Sequence, residues 1–257
     1  MKRVSLPAIC MICAFAVSAV AAAGASAAAP EYGRCKAMTK GAFLDSKCTK
    51  KATGTKVGKY EWFPGAEKAK FTSSGGVGVL TTVGGSGVEC QKESSAGEFL
   101  PGSNKEEAGV IVKFTGCKSL GLACTTPGAE SGELVTNELD GLVGWENKAK
   151  KKTALELYPA LSVTSGLFIE FSCGGLVVKV QGHVLVPIKN DIMTKTENLK
   201  FVAAKGKQKP EKWENQSGPL ETAILEASFK GGPFEQAGQQ IATVVTGEEE
   251  LELNAVV

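Results

Sequence analysis

The chain has 257 residues, of which 29 are basic and 27 acidic. Lys2 and Arg3 lie in an N-terminal leader without acidic residues, so the chain after residue 27 carries 27 basic and 27 acidic residues. This balance does not attract a polyanion. Arg34 is the only arginine after the leader, whereas bidentate recognition of phosphate or guanine favours arginine. We therefore expect no nucleic-acid partner.

Residues 1–27 have the three parts of a secretory signal peptide: the basic start, an apolar run from Leu6 to about Ala23, and small residues at Ala25-Ser26-Ala27. We predict cleavage after Ala27. A retained anchor is the alternative, because the run is about long enough to span a bilayer, but the small residues at its end favour removal. No later segment is long and apolar enough, so we expect a secreted or extracytoplasmic protein with no stable membrane span after cleavage.

After the leader, apolar and polar residues alternate with a period of two, which is typical of strands with one wet face. In chain order the candidate strands are 58–63, 77–83, 87–92, 109–115, 132–136, 139–145, 153–158, 167–173, 176–186, 197–204, 223–229, 239–246 and 251–255. Glycine and proline pairs separate many of them, and no stretch favours a long helix. We predict one all-β domain over residues 28–257, an antiparallel sandwich or barrel of many short strands stapled by disulfides.

Removing Cys10 and Cys13 with the leader leaves an even set of cysteines, which fits full pairing in an oxidising compartment: Cys35, Cys48, Cys90, Cys117, Cys124 and Cys173. The sequence alone selects no connectivity. Short loops favour the pairs Cys35–Cys48 and Cys117–Cys124, which leaves Cys90–Cys173 as a bridge between two inward strand faces. A metal site is not expected, because no C-x-x-C pair follows the leader and the chain has a single histidine.

The sequence carries no catalytic signature and no cofactor motif. His183, the only histidine, shares a strand face with Lys179 and Gln181 and is interpreted as a solvated strand residue rather than the base of a hydrolytic triad. The glycine-rich segment 75–87 fails the spacing of both phosphate-binding loops. We therefore assign no catalytic residue, and the pattern favours a protein that is not an enzyme.

Three binding surfaces are conceivable. One is a sugar-stacking surface made by Trp62, Trp145 and Trp213, although tryptophans are more common in cores. The second is a charged loop over residues 205–212, where Lys205, Lys207 and Lys209 would contact an anionic wall polymer, although loop lysines usually serve solubility. The third is an exposed strand edge in a hairpin over 239–256. Within that hairpin, Glu248 to Glu250 are interpreted as a solvated turn.

Several short motifs are spread over nearly the whole chain after the leader: G-K-Y-E-W at 58–62, F-T-G-C at 114–117, G-E-L-V-T-N at 132–137, F-S-C-G at 171–174, K-G-K-Q-K-P-E at 205–211, G-G-P-F-E-Q-A-G at 231–238 and N-A-V-V at 254–257. In these motifs the chain resembles a family of secreted, six-cysteine, β-rich proteins of unknown function from high-GC Gram-positive soil bacteria. The resemblance implies a signal peptide, paired cysteines and a β-rich body. It brings no activity and no functional residue.

These observations favour an exported protein with a non-enzymatic structural or binding role at the cell surface or outside the cell. Its partner would be a cell-wall polymer or another surface protein. The alternative is a secreted carbohydrate-binding module or glycan-active enzyme that uses glutamates and tryptophans. Two glutamates about 5–9 Å apart in a cleft lined by tryptophan or tyrosine would favour that alternative.

Overall fold

A computed structural model describes residues 29–190, 192–216 and 218–254. The predicted signal peptide, with Cys10 and Cys13, lies outside these ranges, as does Ala255 at the end of the last predicted strand. The described residues form antiparallel strands and one helical turn, the 3-10 turn Lys148–Lys150. Within the same ranges no helix has the length and apolar character needed to cross a bilayer.

The described ranges contain twenty-one strands. The first eleven are β1 (Glu31–Gly41), β2 (Gly58–Pro64), β3 (Lys70–Gly75), β4 (Gly78–Thr82), β5 (Gly87–Cys90), β6 (Lys92–Phe99), β7 (Glu106–Thr115), β8 (Lys118–Ser119), β9 (Leu122–Thr125), β10 (Leu134–Val135) and β11 (Leu139–Asn147). The other ten are β12 (Lys152–Pro159), β13 (Leu167–Cys173), β14 (Leu176–Gly182), β15 (Val184–Ile188), β16 (Thr194–Ala204), β17 (Lys207–Lys209), β18 (Lys212–Glu214), β19 (Leu220–Thr222), β20 (Leu225–Phe229) and β21 (Glu235–Asn254).

Two rings of eight strands make up the body of the protein, and they share β21. The larger ring runs β3-β6-β7-β11-β12-β15-β16-β21 and returns to β3, with β15 leading directly into β16. The smaller ring runs β4-β5-β8-β9-β13-β14-β20-β21 and returns to β4. The prediction of an all-β, antiparallel and disulfide-stapled fold is confirmed, and the architecture is a barrel with additional strands.

Strand β21 holds the assembly together over its 20 residues. Its first part pairs with β20 and β4 in the smaller ring, its middle part with β3 and β16 in the larger ring, and residues 252–254 with β1. The prediction of a hairpin over 239–256 with a free edge is wrong, because both sides of this strand find partners within the body. Glu248 to Glu250 accordingly lie in a strand and not in a turn.

Glycines mark the points where the chain passes from one ring to the other. The predicted strand 176–186 is split, because β14 ends in the smaller ring at Gly182 and β15 begins in the larger ring at Val184. Gly182 has a φ of 96°, and a Cβ there would lie 2.0 Å from the carbonyl oxygen of Ile224, so only glycine fits. Gly116, with a φ of 68°, allows the corresponding passage from β7 to β8.

One apolar core runs through both rings without interruption. It includes Phe71 and Leu155 in the larger ring and Val178 and Ala227 in the smaller ring. These side chains lie on the inward faces of strands that alternate as the sequence predicts. In the smaller ring, a closed series of pairings among the described strands leaves no strand edge free for other chains.

The disulfides join Cys35 with Cys48, Cys90 with Cys117, and Cys124 with Cys173. The predicted pair Cys35–Cys48 is confirmed, whereas the predicted pairs Cys117–Cys124 and Cys90–Cys173 are wrong. The four core cysteines form one row across β5, the start of the β8–β9 hairpin, β9 and β13, and all four are buried.

The position of this row explains the pairing. Cys117 and Cys124 do lie opposite each other, since the amide of Cys124 donates to the carbonyl of Cys117 at 2.9 Å. A bond between their sulfurs would leave Cys90 and Cys173 three strands apart, roughly 14 Å at the usual strand spacing, which a disulfide cannot bridge. The observed pairs join each inner cysteine, Cys117 or Cys124, to its neighbour in the row, Cys90 or Cys173, and so use all four sulfurs.

We predict that replacing Cys124 and Cys173 together by serine lowers the free energy of unfolding by about 4 kcal/mol in the chain-entropy model. This bridge closes a separation of 49 residues, whereas Cys35–Cys48 closes 13, for which the same model gives about 3 kcal/mol. Denaturant unfolding of the two double variants measures the difference. Equal stability of the Cys124/Cys173 variant and the parent protein would contradict the prediction.

Candidate functional site

The larger ring encloses a cavity of about 150 Å³. Side chains from all eight of its strands line the space, and most of them are apolar. Representative wall residues are Phe99 on β6, Val110 on β7 and Leu199 on β16. Native interiors are normally packed to the density of organic crystals, so a void of this size inside a barrel is a distinctive feature.

The cavity reaches the protein surface beside the connection between β15 and β16. Its exposed lining residues mark the mouth: Lys189 and Ile192 lie in the connection between β15 and β16, and Lys195 lies at the start of β16. Phe114 and Phe168 also line a second cavity of about 80 Å³ that reaches into the smaller ring. The smaller ring therefore forms the floor of the larger one.

A buried carboxylate lies deep in this cavity. Glu93 on β6 is 7% exposed, and its two oxygens accept hydrogen bonds from the hydroxyls of Ser73 at 2.6 Å and Thr243 at 2.7 Å. Ser95 extends the group, with its Oγ 2.7 Å from that of Ser73. All four side chains line the cavity, so they form a polar centre in an otherwise apolar wall. We call these four residues the Glu93 centre.

The sheet register creates the space for this carboxylate. Gly75 on β3 lies opposite Glu93 on one side and opposite Thr243 on the other. A Cβ at position 75 would lie 2.7 Å from a carboxylate oxygen of Glu93 and 3.0 Å from the carbonyl of Ala242. The missing side chain of Gly75 thus leaves room for the carboxylate between the two neighbouring strands.

A second polar pair lies closer to the mouth. The hydroxyl of Tyr32, from β1, donates to Glu107 Oε1 on β7 at 2.7 Å, and both residues are buried. Burial raises the pKa of Glu107 to about 7, and the hydrogen bond from Tyr32 lowers it only in part. Burial, together with the adjacent Glu107 charge, raises the pKa of Tyr32 well above its ordinary value. The Tyr32 ring packs edge-on against Phe99, with the ring centres 4.8 Å apart.

The predicted tryptophan surface does not form. Trp145 and Trp213 are 2% and 0% exposed, so neither ring presents a face to solvent. Trp62 is half-buried and its ring packs closely over Gly33, where a Cβ would lie 2.4 Å from a ring carbon. Trp213, on β18, packs with Leu185 and Ala223. The tryptophans therefore serve packing.

The predicted lysine loop is a hairpin between β16 and β17. Lys205, Lys207 and Lys209 are exposed on it, while Gln208 between them is buried and accepts a hydrogen bond from the amide of Gln239 at 2.8 Å. Lys209 also forms an ion pair with Glu211 at 3.3 Å. The three lysines thus lie on an ordered surface hairpin, away from the cavity lining.

His183 lies at the passage between the two rings, with half of its side chain exposed. Its Nδ1 is 3.0 Å from Glu156 Oε1, and its ring stacks on Tyr158 with centres 5.6 Å apart. The hydrogen bond to Glu156 raises the pKa of His183. Among the described residues, no group of histidine, cysteine and acidic side chains could hold a metal ion.

Sequence patterns did not reveal the Glu93 centre. Its members come from three strands that are distant in the chain, and Glu93 and Ser95 stand in the polar segment K-E-S-S, which looks like surface. The chain matches no protein-family model, no curated protein and no solved structure. The resemblance to a secreted six-cysteine family thus stays a prediction, and the cavity is the basis for any functional argument.

We predict that the Glu107 carboxyl makes stability depend on pH. Its pKa is about 7 in the folded protein and 4.5 in an ordinary carboxyl, so the native state binds more protons between these values. The free energy of unfolding therefore falls as pH rises through this window, by about 3 kcal/mol, and levels off above it. The side chain in Glu107→Gln can still accept the Tyr32 hydrogen bond but does not titrate. The variant should therefore lack this part of the decrease in the free energy of unfolding with pH.

Unfolding in denaturant from pH 4 to pH 8 measures the effect. Glu248→Gln is the matched control, because it removes the same charge from an exposed position outside the cavity lining. The control should keep the pH dependence of the parent protein. If the free energy of unfolding of Glu107→Gln decreased with pH as steeply as that of the parent protein, another group would be responsible.

Proposed function

We propose that this chain is an exported, non-enzymatic binding protein that holds a small, mainly apolar molecule inside the larger ring. The observation that carries the proposal is the cavity of about 150 Å³, which is lined by all eight strands and reaches the protein surface. In another protein an apolar cavity of about 150 Å³ binds benzene. Small-molecule sites in general combine apolar walls with a few placed polar groups, as the Glu93 centre does here.

The covalent chemistry supports the exported part of the proposal. The protein has three disulfides. Such bonds persist in oxidising, extracytoplasmic surroundings and are rare in the cytosol. The predicted leader over residues 1–27 supplies the route to such a compartment. A secreted binding protein would meet its ligand outside the cell, with its fold already locked by these bonds.

The alternative of a glycan-binding or glycan-cleaving protein has less support. Glu93 and Glu107 do face the same cavity, but it is an enclosed space in the barrel rather than an open cleft along which a polymer could lie. Trp145 and Trp213, which a sugar-stacking surface would need to expose, are buried in packing. A small ligand that enters at the mouth therefore suits this geometry better than a glycan chain.

Val245→Trp tests the binding site. Val245 lines the cavity, so the indole side chain of the new tryptophan should fill the cavity. This should abolish binding of a small neutral aromatic such as 2-phenylethanol. The matched control is Val244→Trp, because Val244 precedes Val245 on β21 but is 39% exposed on the opposite face. Isothermal titration calorimetry and saturation-transfer NMR measure binding to the parent protein and to both variants.

The parent protein and Val244→Trp are expected to bind 2-phenylethanol, and Val245→Trp is not. Thermal unfolding of each variant without ligand provides the folding control. The proposal fails if the parent protein binds neither 2-phenylethanol nor a charged compound of similar shape, or if Val245→Trp, shown to be folded, binds as the parent does.

Export has its own test. We predict that the protein recovered outside a secreting host begins at Ala28 and contains no thiol that alkylates without prior reduction. N-terminal sequencing and mass measurement before and after reduction check both statements. An intact N-terminus on intracellular protein, with alkylated cysteines in the native state, would contradict export.

A further inference from the structure

We infer that the ligand of the larger ring is a small primary amine whose ammonium group is seated against the Glu93 centre. This inference rests on the proposed function and adds the chemical class of the ligand. It follows from three properties of the cavity: the sign of its charges, the hydrogen bonds that remain open at the Glu93 centre, and the size of the apolar space above it.

The charges that line the cavity favour a cation. Five glutamates contribute to the wall, although the raised pKa of about 7 leaves Glu107 only partly ionised at pH 7: Glu93, Glu107, Glu197, Glu249 and Glu252. The two lining lysines, Lys189 and Lys195, are exposed at the mouth, where water screens them. Glu93 is buried in the lining and takes part in no ion pair with another described residue.

The buried Glu93 carboxylate has hydrogen-bond donors around it but no opposite charge among the described residues to balance its own. Hydrogen bonds from Ser73 and Thr243 satisfy part of its acceptor capacity, but they supply no opposite charge. Burial of a charge is costly unless the group is both hydrogen-bonded and paired. A cationic ligand would complete the pairing, a neutral one would leave the charge as it is, and an anionic one would add repulsion.

The hydrogen-bond geometry favours an ammonium over other cations. An ammonium group has three donors and no acceptor, and the Glu93 centre offers the remaining lone pairs of both carboxylate oxygens and of the Ser95 hydroxyl. A guanidinium prefers two unoccupied carboxylate oxygens side by side, whereas each oxygen of Glu93 already accepts a hydroxyl. A quaternary ammonium has no N–H group to donate.

The size of the space limits the rest of the ligand. A cavity of about 150 Å³ takes a body of roughly one aromatic ring or a short alkyl chain. Above the Glu93 centre the wall is apolar, with Val112, Leu199 and Ile241 among its residues. We therefore commit to monocyclic arylalkylamines and short alkylamines, represented by 2-phenylethylamine.

The experiment compares three probes of similar shape at pH 7: 2-phenylethylamine as the cation, 2-phenylethanol as the neutral form and 3-phenylpropionate as the anion. Titration calorimetry gives their affinities for the full folded chain. We expect the amine to bind at least tenfold more tightly than the alcohol, and the anion to bind most weakly. This comparison needs no substitution, so it stands even if a variant does not fold.

Glu93→Gln tests the role of the carboxylate. The amide has nearly the same shape and can still exchange hydrogen bonds with Ser73 and Thr243, but it carries no charge. We expect the variant to lose at least tenfold in affinity for the amine and to keep the affinity for the alcohol. Glu248→Gln, which removes an exposed charge outside the cavity lining, should bind all three probes as the parent does.

The outcomes separate the two proposals. If the alcohol binds and Val245→Trp blocks it, but the amine is not preferred or Glu93→Gln retains that preference, the inference about the amine is overturned and the proposed function stands. Tighter binding of the anion would also overturn the inference. If none of the probes binds to the parent protein, both proposals fail.

Discussion

Strand β21 is hydrogen-bonded in both rings, and the rest of the structure depends on this double pairing. Its first residues close the smaller ring between β20 and β4, and its middle residues close the larger ring between β3 and β16. Because the same strand serves both rings, the floor of the cavity is fixed relative to its walls. The inward face of β21 then supplies Gln239, Ile241, Thr243 and Val245 to one continuous interior.

The polar centre is held in place by the same register. Thr243, Gly75 and Glu93 lie in one row across three neighbouring strands, so a slip of any strand by one residue would turn one of them to the outer face. The hydroxyls of Ser73 and Thr243 each donate to a different oxygen of the carboxylate, and Gly75 gives it space. A charge in this position is thus set by strand pairing rather than by a flexible loop.

The sequence was most informative where one strand face is apolar and the other is wet. The predicted strand 167–173 matches β13 residue for residue, and 58–63 matches β2 to within one residue. Strand β6 was missed, because its inward face carries Glu93, Ser95 and Gly97 and shows no apolar alternation. The polar groups that β6 contributes to the cavity lining therefore also remove the signal by which such strands are recognised.

The disulfide assignment failed for a related reason. Loop length correctly placed Cys117 opposite Cys124, but the choice of partner depends on the strands on either side of that hairpin. No local pattern reports that β5 and β13 flank it. For the tryptophans, the general preference for cores agrees with the burial of Trp145 and Trp213, but the sequence does not predict that Trp213 packs with Leu185 and Ala223 from other parts of the chain.

The position of β21 in the chain also affects how the protein reaches its folded state. This strand follows the other twenty in order of synthesis, yet neither ring can close without it. Its partners in β3 and β4 lie more than 150 residues upstream, so much of the loop-closure entropy must be lost before these contacts form. A chain with this topology cannot close either ring until residues 235–254 are available, so the strands that precede β21 must wait for it in an open arrangement.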